Sequence, residues 1–399
     1  DTYFMKNPFL NNKFIISALA AFAAFGGVIS SGAAISASAQ SSPQGLLVGC
    51  KSAYVMDYDS GECIFSYNEH ARMPIASVCK VMTLTLCFDA VEEGRISLDE
   101  EVSVSSNASG MGGSQIYLES GYSYPFSELI KSIIVCSAND SCVAVAERIS
   151  GSEEQFVADM NSKAEELGLD NTLFANCTGL PKDTQYSCAA DVAVMFANLI
   201  RHPEYFNFSK IWMEDFVHGN GRTTLMTNTN KLIRTYNGCD GGKTGFTNEA
   251  GFCLATTANR GSLRFVCSVL GCDTSAHRFE SASRLFDYGF ANYRNKIILD
   301  STVTLNDQFV LRGGKKPSYL VVPAENCYIF GKTGEEHDVT FSVTDNRVKA
   351  PVAKGQTVGS IEVYVDGVLY KKIDAVSAED VKRASYADRI KNVAEDWSL

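Results

Sequence analysis

Histidine is scarce in this chain, with 5 in 399 residues, and no His-Glu-x-x-His or Cys-x-x-Cys pattern occurs. A zinc site therefore has little support, and nothing in the sequence asks for a metal or another cofactor. Basic charge is also short. Lys+Arg number 35 against 46 Asp+Glu, a net charge of −11, and no run of Lys or Arg is present. Nucleic acid is excluded as an expected partner, because no basic surplus exists to displace counterions from a phosphate backbone. With 9 Pro and 31 Gly, collagen-like and low-complexity readings fail, and no solenoid-length repeat is visible. What remains is an ordinary globular mix, 45% hydrophobic and 20% charged, long enough for two domains.

The N-terminal stretch carries the first positive signal. Residues 14–39 contain no charge, follow Lys6 and Lys13, and end in Ser36-Ala37-Ser38-Ala39-Gln40. That small-x-small ending reads as a secretory signal over residues 1–39, cleaved after Ala39. A membrane anchor is the weaker alternative, since Ser30-Ser31-Gly32 interrupt the apolar run before it reaches about 20 residues. The 13 cysteines are odd in number and irregular in spacing, and Cys87, Cys136, Cys142, Cys253 and Cys267 sit in apolar runs. Most are expected to be reduced and packed as small hydrophobes.

Alternation over residues 46–67, around Asp57-Tyr58-Asp59-Ser60-Gly61, predicts a β-hairpin. Helical patterns follow at 78–93, at 126–149 with a break at Ser137-Ala138-Asn139-Asp140, at 153–167 and at 189–200. Residues 250–257 and 263–270 read as buried strands before a helix at 275–288. Helices between distant strands give an α/β catalytic-sized domain over 40–292. Strand signals then dominate 293–376, a small all-β domain. The end, 377–399, is expected to be a helix with Tyr386, Ile390, Val393 and Trp397 on one stripe.

Three short motifs carry chemistry. Ser77-Val78-Cys79-Lys80 is the one Ser-x-x-Lys in the chain and opens a helix, where residues three apart share a face. A partly desolvated Lys80 amine there can take the proton of the Ser77 hydroxyl. Ser137-Ala138-Asn139 interrupts an apolar helical region and can turn a hydroxyl and a carboxamide into a cleft. Gly241-Gly242-Lys243-Thr244-Gly245-Phe246-Thr247 reads as a loop before a strand, giving fixed positive charge, a hydroxyl and a glycine for close approach. From Gly238 it is one residue too short for a phosphate-binding loop. A second Lys-Thr-Gly, Lys332-Thr333-Gly334, reads as a turn without catalytic meaning.

In this order the motifs resemble the penicillin-recognising serine enzymes, and within them the low-molecular-weight penicillin-binding D-alanyl-D-alanine carboxypeptidases. Met111-Gly112-Gly113-Ser114-Gln115-Ile116-Tyr117-Leu118, Thr229-Asn230-Lys231-Leu232 and the segments 136–147, 240–251 and 285–293 extend the likeness along nearly all of the mature chain. The resemblance implies a transpeptidase/β-lactamase-like α/β (α+β) domain, a five-stranded antiparallel sheet flanked by helices with a helical subdomain, plus a C-terminal β domain. It implies Ser77 as nucleophile, Lys80 as base and Ser137 as proton relay. Asn139 would bind the substrate amide, Lys243 would set the electrostatics, and Thr244 would meet the terminal carboxylate. Gly245 lies in the same motif, and the Ser77 and Phe246 amides would form the oxyanion hole. Arg278 would lie near the carboxylate site, with Arg222 a candidate for a second family arginine. Cys79 and Cys136 are taken as packing residues.

The implied partners are peptidoglycan stem peptides ending in D-Ala-D-Ala and β-lactam antibiotics, met outside the cytoplasm. Rival readings are a DD-endopeptidase, a β-lactamase and a non-catalytic wall-binding protein. For the β-lactamase, Glu166-Leu167-Gly168-Leu169-Asp170 comes close to the needed Glu-x-x-Leu-Asn but reads as a helix end. The C-terminal stripe has the shape of a membrane-surface anchor. Yet five acids against four bases from Glu379 onward give no pull towards anionic lipid.

Overall fold

Lys80–Glu92 is apolar on every side, and a helix of that kind belongs inside a core rather than on its surface. In the computed structural model, which describes residues 3–6, 45–305, 308–388 and 390, it is buried from Lys80 to Ala90. Helices Phe126–Cys136, Asn139–Ser150, Glu153–Glu166 and Ala189–Leu199 surround it. Glu153–Glu166 is amphipathic in the expected way. Ser152 caps its first turn by accepting from the Gln155 amide, Phe156, Met160 and Ala164 face inward, and Gly168 ends it at φ +68°.

These helices belong to a unit spanning Ala39–Asn292, whose sheet is antiparallel throughout. Its strand order is Cys63–Tyr67, Ser52–Asp57, Leu263–Cys272, Gly251–Arg260, Cys239–Thr247. Both Ala189–Leu199 and Ser275–Asn292 pack on Leu263–Cys272, which is buried at nearly every position, as a strand covered on two faces must be. The expected fold class is therefore the observed one.

One reading needs correction. The Lys243-Thr244-Gly245 segment is no loop but the middle of the edge strand Cys239–Thr247, paired Lys243 to Ala255 and Gly245 to Cys253. Its glycines hide the strand from an alternation test, because Gly241, Gly242 and Gly245 have no side chain to alternate. A hairpin of Met213–Val217 with Thr223–Thr227 was also not foreseen.

The second unit holds Tyr293–Leu399, with a sheet ordered Val339–Asp345, Thr357–Val365, Val368–Ser377, Ser318–Pro323, Gln308–Val310. Tyr3–Lys6 adds to its first strand, and Tyr293–Leu299 pairs separately with Cys327–Lys332. Tyr319, Val321, Ile361, Val363, Ile373 and Ala375 fill its core. Lys332 ends a strand, and Thr333-Gly334 form a turn. The helix expected over 377–399 starts later. Ser377 closes a strand and Val381 and Arg383 make isolated β-bridges, so helix begins only at Tyr386. Val393 and Trp397 lie outside the described residues, as does the expected signal apart from Tyr3–Lys6. Among the described residues, no helix is long and apolar enough to cross a membrane.

Candidate active site

Two left-handed residues aim the two candidate hydroxyls. Ala76, at φ 48°, starts the 3-10 turn Ala76–Cys79 that leads into Lys80–Glu92, and Ser77 is partly exposed on it. Ser137, at φ 68° and ψ 33°, ends the helix Phe126–Cys136, and Asn139 already opens the next one. The break is thus two residues long, shorter than expected, and a left-handed residue without glycine costs roughly 1–2 kcal/mol.

Lys80 Nζ donates to Ser77 Oγ at 2.9 Å and to the Thr178 carbonyl, and Lys80 is fully buried. Lys243 Nζ, also buried, donates to Ser137 Oγ and to the Thr244 carbonyl, each at 2.9 Å. Burial first, and the positive charge of Lys80 second, push the Lys243 ammonium well below the ordinary lysine range. Each serine hydroxyl is therefore matched with one buried amine. Cys79 is sealed beneath the turn, and burial pushes its thiol up to about 12. It packs and does not compete as a nucleophile.

Gly245 brings the edge strand against this turn. A Cβ there would stand 2.6 Å from the Ile75 carbonyl and 3.1 Å from the Ser77 nitrogen. Thr244 is buried, whereas Phe246 is about half exposed and stacks on Phe252 at 4.3 Å. Arg278 braces this strand from its own helix, donating to the Gly245 carbonyl at 3.0 Å and the Cys253 carbonyl at 3.3 Å. Its Nε is buried with no hydrogen-bond partner among the described residues, and burial lowers the guanidinium to about 10.

Asn139 Nδ2 donates to the Gly112 carbonyl at 2.7 Å, and its Oδ1 is buried with no hydrogen-bond partner among the described residues. The neighbouring Asp140 carboxylate accepts from the Ile116 and Leu118 amides, which fixes the segment beside the cleft. Arg222 stands apart from the motif lysines. It sits between the strands of the 213–227 hairpin and is tied to the Tyr117 carbonyl at 2.7 Å and to Glu119 at 3.2 Å.

Sequence reasoning missed the loop 176–185. Asn176 Oδ1 accepts from the Gly179 and Thr178 amides, and Gln185 Oε1 from those of Ala175 and Asn176. These bonds hold the Thr178 carbonyl over Lys80. Asn-Cys-Thr-Gly was the available signal, a turn-forming run between apolar segments.

Glu166 is tied to Lys163 at 2.9 Å and largely exposed, with nothing placing it as a water-activating base. Asp89, Glu92 and His202 bring potential ligand atoms within 4.8 Å of one another. Lys163 and Arg201 already pair with that Asp89, filling the place of a cation. Cys50 and Cys272 form a disulfide, while the other cysteines are free and, except Cys63 and Cys136, buried.

The sequence model of D-alanyl-D-alanine carboxypeptidase matches residues 37–274, and that of the penicillin-binding protein 5 C-terminal domain matches 300–383. D-alanyl-D-alanine carboxypeptidase DacF of Bacillus subtilis is 36% identical over 352 residues, 87% of this chain and 90% of that protein. Penicillin-binding protein 5 of Haemophilus influenzae superposes with a TM-score of 0.63 at 29% identity, covering 84% of this chain and 98% of that one. The peptidoglycan synthesis regulatory factor PBP3 of Streptococcus pneumoniae gives 0.68 at 25% identity, covering 84% and 99%. Fold and cleft together are those of a penicillin-binding serine peptidase. Within that class, the chain belongs to the D-alanyl-D-alanine carboxypeptidase family.

Proposed function

We propose that this protein removes the terminal D-alanine from peptidoglycan stem peptides through an ester on Ser77, and that β-lactams acylate the same hydroxyl. The carrying observation is the 2.9 Å bond between the buried Lys80 amine and Ser77 Oγ. The Lys80 amine accepts the Ser77 proton as the oxygen attacks the carbonyl of the penultimate D-alanine. Negative charge developing on that carbonyl oxygen meets the amides of Ser77 and Phe246 at the start of a helix and on a strand edge. Collapse breaks the peptide bond. The proton passes through Ser137 to the leaving D-alanine nitrogen, and water then cleaves the ester to restore Ser77.

Lys243 keeps the Ser137 hydroxyl oriented, as their 2.9 Å bond supports. Thr244 meets the terminal carboxylate, and Gly245 lets the substrate lie along the strand edge. Asn139 offers its unpartnered Oδ1 to the substrate amide, and Arg278 acts through the strand it braces. The uncharged stretch 14–39 with its small-x-small ending supports action outside the cytoplasm, at the wall or the outer membrane face. The helix from Tyr386 would touch that surface, which flotation with liposomes, with and without residues after Ala378, decides.

D-alanine release from diacetyl-Lys-D-Ala-D-Ala tests the reading, with fluorescent penicillin labelling alongside. Both signals are expected in the wild type and absent in Ser77→Ala. Labelling without release would point to another acceptor peptide, and neither signal from folded wild-type protein would sink the enzyme reading.

A further inference from the structure

Cys50 and Cys272 form the one disulfide among the described residues, joining positions 222 apart in the chain. Strand register explains how they meet. Ser52 pairs with Leu270, the Lys51 amide donates to the Leu270 carbonyl, and the Asp273 amide donates to the Gly49 carbonyl. Cys50 therefore stands opposite Cys272 where the strands Ser52–Asp57 and Leu263–Cys272 run out. Cys272 is buried, whereas Cys50 is only half-buried.

On the other side of its strand, Cys272 borders the support of the cleft. It pairs with Phe252 after a break in register that follows Val269. A Cβ on Gly251 would stand 3.0 Å from the Cys272 carbonyl oxygen, so the two backbones touch. Phe252 stacks on Phe246 at 4.3 Å, and the Arg278 guanidinium lies over the Phe252 ring at 5.4 Å. The helix Ser275–Asn292, which carries Arg278, begins just beyond Cys272. On the same helix face, Ser281 accepts from the Val48 amide at 2.9 Å. The 48–50 segment thus holds the strand end through sulfur and the Arg278 helix through Ser281. Both supports converge on Gly245 and Phe246, beside the Ser77 turn.

We propose that the Cys50–Cys272 disulfide positions the Gly245-Phe246 end of the edge strand, and that its reduction by a dithiol slows acylation of Ser77. The proposal rests on the carboxypeptidase reading above and adds a redox control to it. A thiolate of the reductant attacks the half-buried Cys50 sulfur, forming a mixed disulfide as Cys272 leaves and takes up a proton. The second thiol of the reductant then displaces Cys50. Two electrons and two protons reach the protein, and the dithiol becomes a disulfide. The other cysteines are already thiols and take no part. With the bridge open, hydrogen bonds alone close the strand end, and such ends open locally at little cost.

The test treats the folded full chain with dithiothreitol and follows thiol count, circular dichroism, D-alanine release and penicillin labelling. Reduction should add two thiols to the count taken after denaturation, with the circular dichroism of the folded sample unchanged. Both kcat and the labelling rate should fall about tenfold with KM within about twofold, less than the roughly 10²–10³ lost with an oxyanion donor outright. Re-oxidation of the same sample should restore both rates. The double variant Cys50→Ser, Cys272→Ser should show the rates of the reduced protein and no response to dithiothreitol.

Unchanged turnover after reduction overturns the proposal and leaves the carboxypeptidase standing. A thiol count that does not change, or a bridge that opens only as the circular dichroism is lost, does the same. So does a response to dithiothreitol in the double variant, which would move the effect to another group. If the oxidised wild type gives neither release nor labelling, the carboxypeptidase reading falls and takes this one with it.

Discussion

A methyl group on Gly179 would stand 2.1 Å from the carbonyl oxygen of Ala76. The loop that holds the Thr178 carbonyl over Lys80 therefore touches the Ser77 turn through bare backbone. Gly179 itself sits at φ +80°, a conformation that other residues adopt only under strain. Gly179→Ala must push loop and turn apart. Penicillin acylation and D-alanine release should fall at least about tenfold, because small displacements of a positioned nucleophile are costly. Stability should drop by about 1–3 kcal/mol, read from the urea midpoint. Asn176→Ala, which removes the acceptor for the Gly179 amide, should act in the same direction.

Lys243 places function against stability. Its folded-state ammonium is depressed by burial and by Lys80, so the unfolded chain binds more protons than the native one below the ordinary lysine value near 10.4. Stability tied to this group rises with pH up to that value and is lowest once the folded lysine is also protonated. Lys243→Met removes the penalty. It should raise stability at neutral pH by about 1–2 kcal/mol while cutting D-alanine release by roughly two orders of magnitude. Thermal melts across pH, paired with turnover, check both halves. A variant both less stable and fully active would overturn this account.

Glu166 bears on how β-lactams leave. It is paired with Lys163 at the exposed end of its helix. Glu166→Ala should therefore leave the lifetime of the penicilloyl ester unchanged within about twofold, since surface substitutions of this kind rarely shift energies by more than about 0.5 kcal/mol. Decay of the labelled protein over time measures it. A clearly longer lifetime in the variant would bring the β-lactamase reading back.

Much of this architecture was legible because it rests on period and punctuation. The apolar run after Ser77, the capped pattern opening at Ser152 and the break at Ser137 each announce a local structure that packing does not overrule. The strand Cys239–Thr247 was not legible, since its glycines are chosen for approach to Ile75, Tyr205 and Asn230 rather than for strand propensity. Nor was the contact between Lys80 and Thr178, which are 98 residues apart and joined only by the folded loop. The role of Asn176 and Gln185 is of the same kind, because side chains that hold backbone amides leave no periodic trace. At the C-terminus, Tyr386 and Ile390 keep helical spacing, but the bridges of Val381 and Arg383 take the preceding residues out of the helix.

The far end of the Ser77–Lys80 helix supplies an acid-sensitive anchor. Burial opposes charge on Asp89, yet hydrogen bonds from His202, Lys163 and Arg201 overcome it and hold the carboxyl below its ordinary range. The sign is that of a depressed acid. Its contribution is complete above the unfolded value near 3.9 and is lost as pH falls through the lower folded value. Asp89→Asn leaves the Lys163, Arg201 and His202 groups without their shared carboxylate, so stability at pH 7 should fall by about 2–3 kcal/mol. The loss relative to wild type should begin to shrink below about pH 4, where the unfolded carboxyl takes up its proton while the native one stays charged, and should go on shrinking as pH falls through the lower folded value. Urea unfolding at pH 7, 5 and 3 measures the difference, and a gap between the two proteins that stays constant over that range would remove Asp89 as the anchor of this helix.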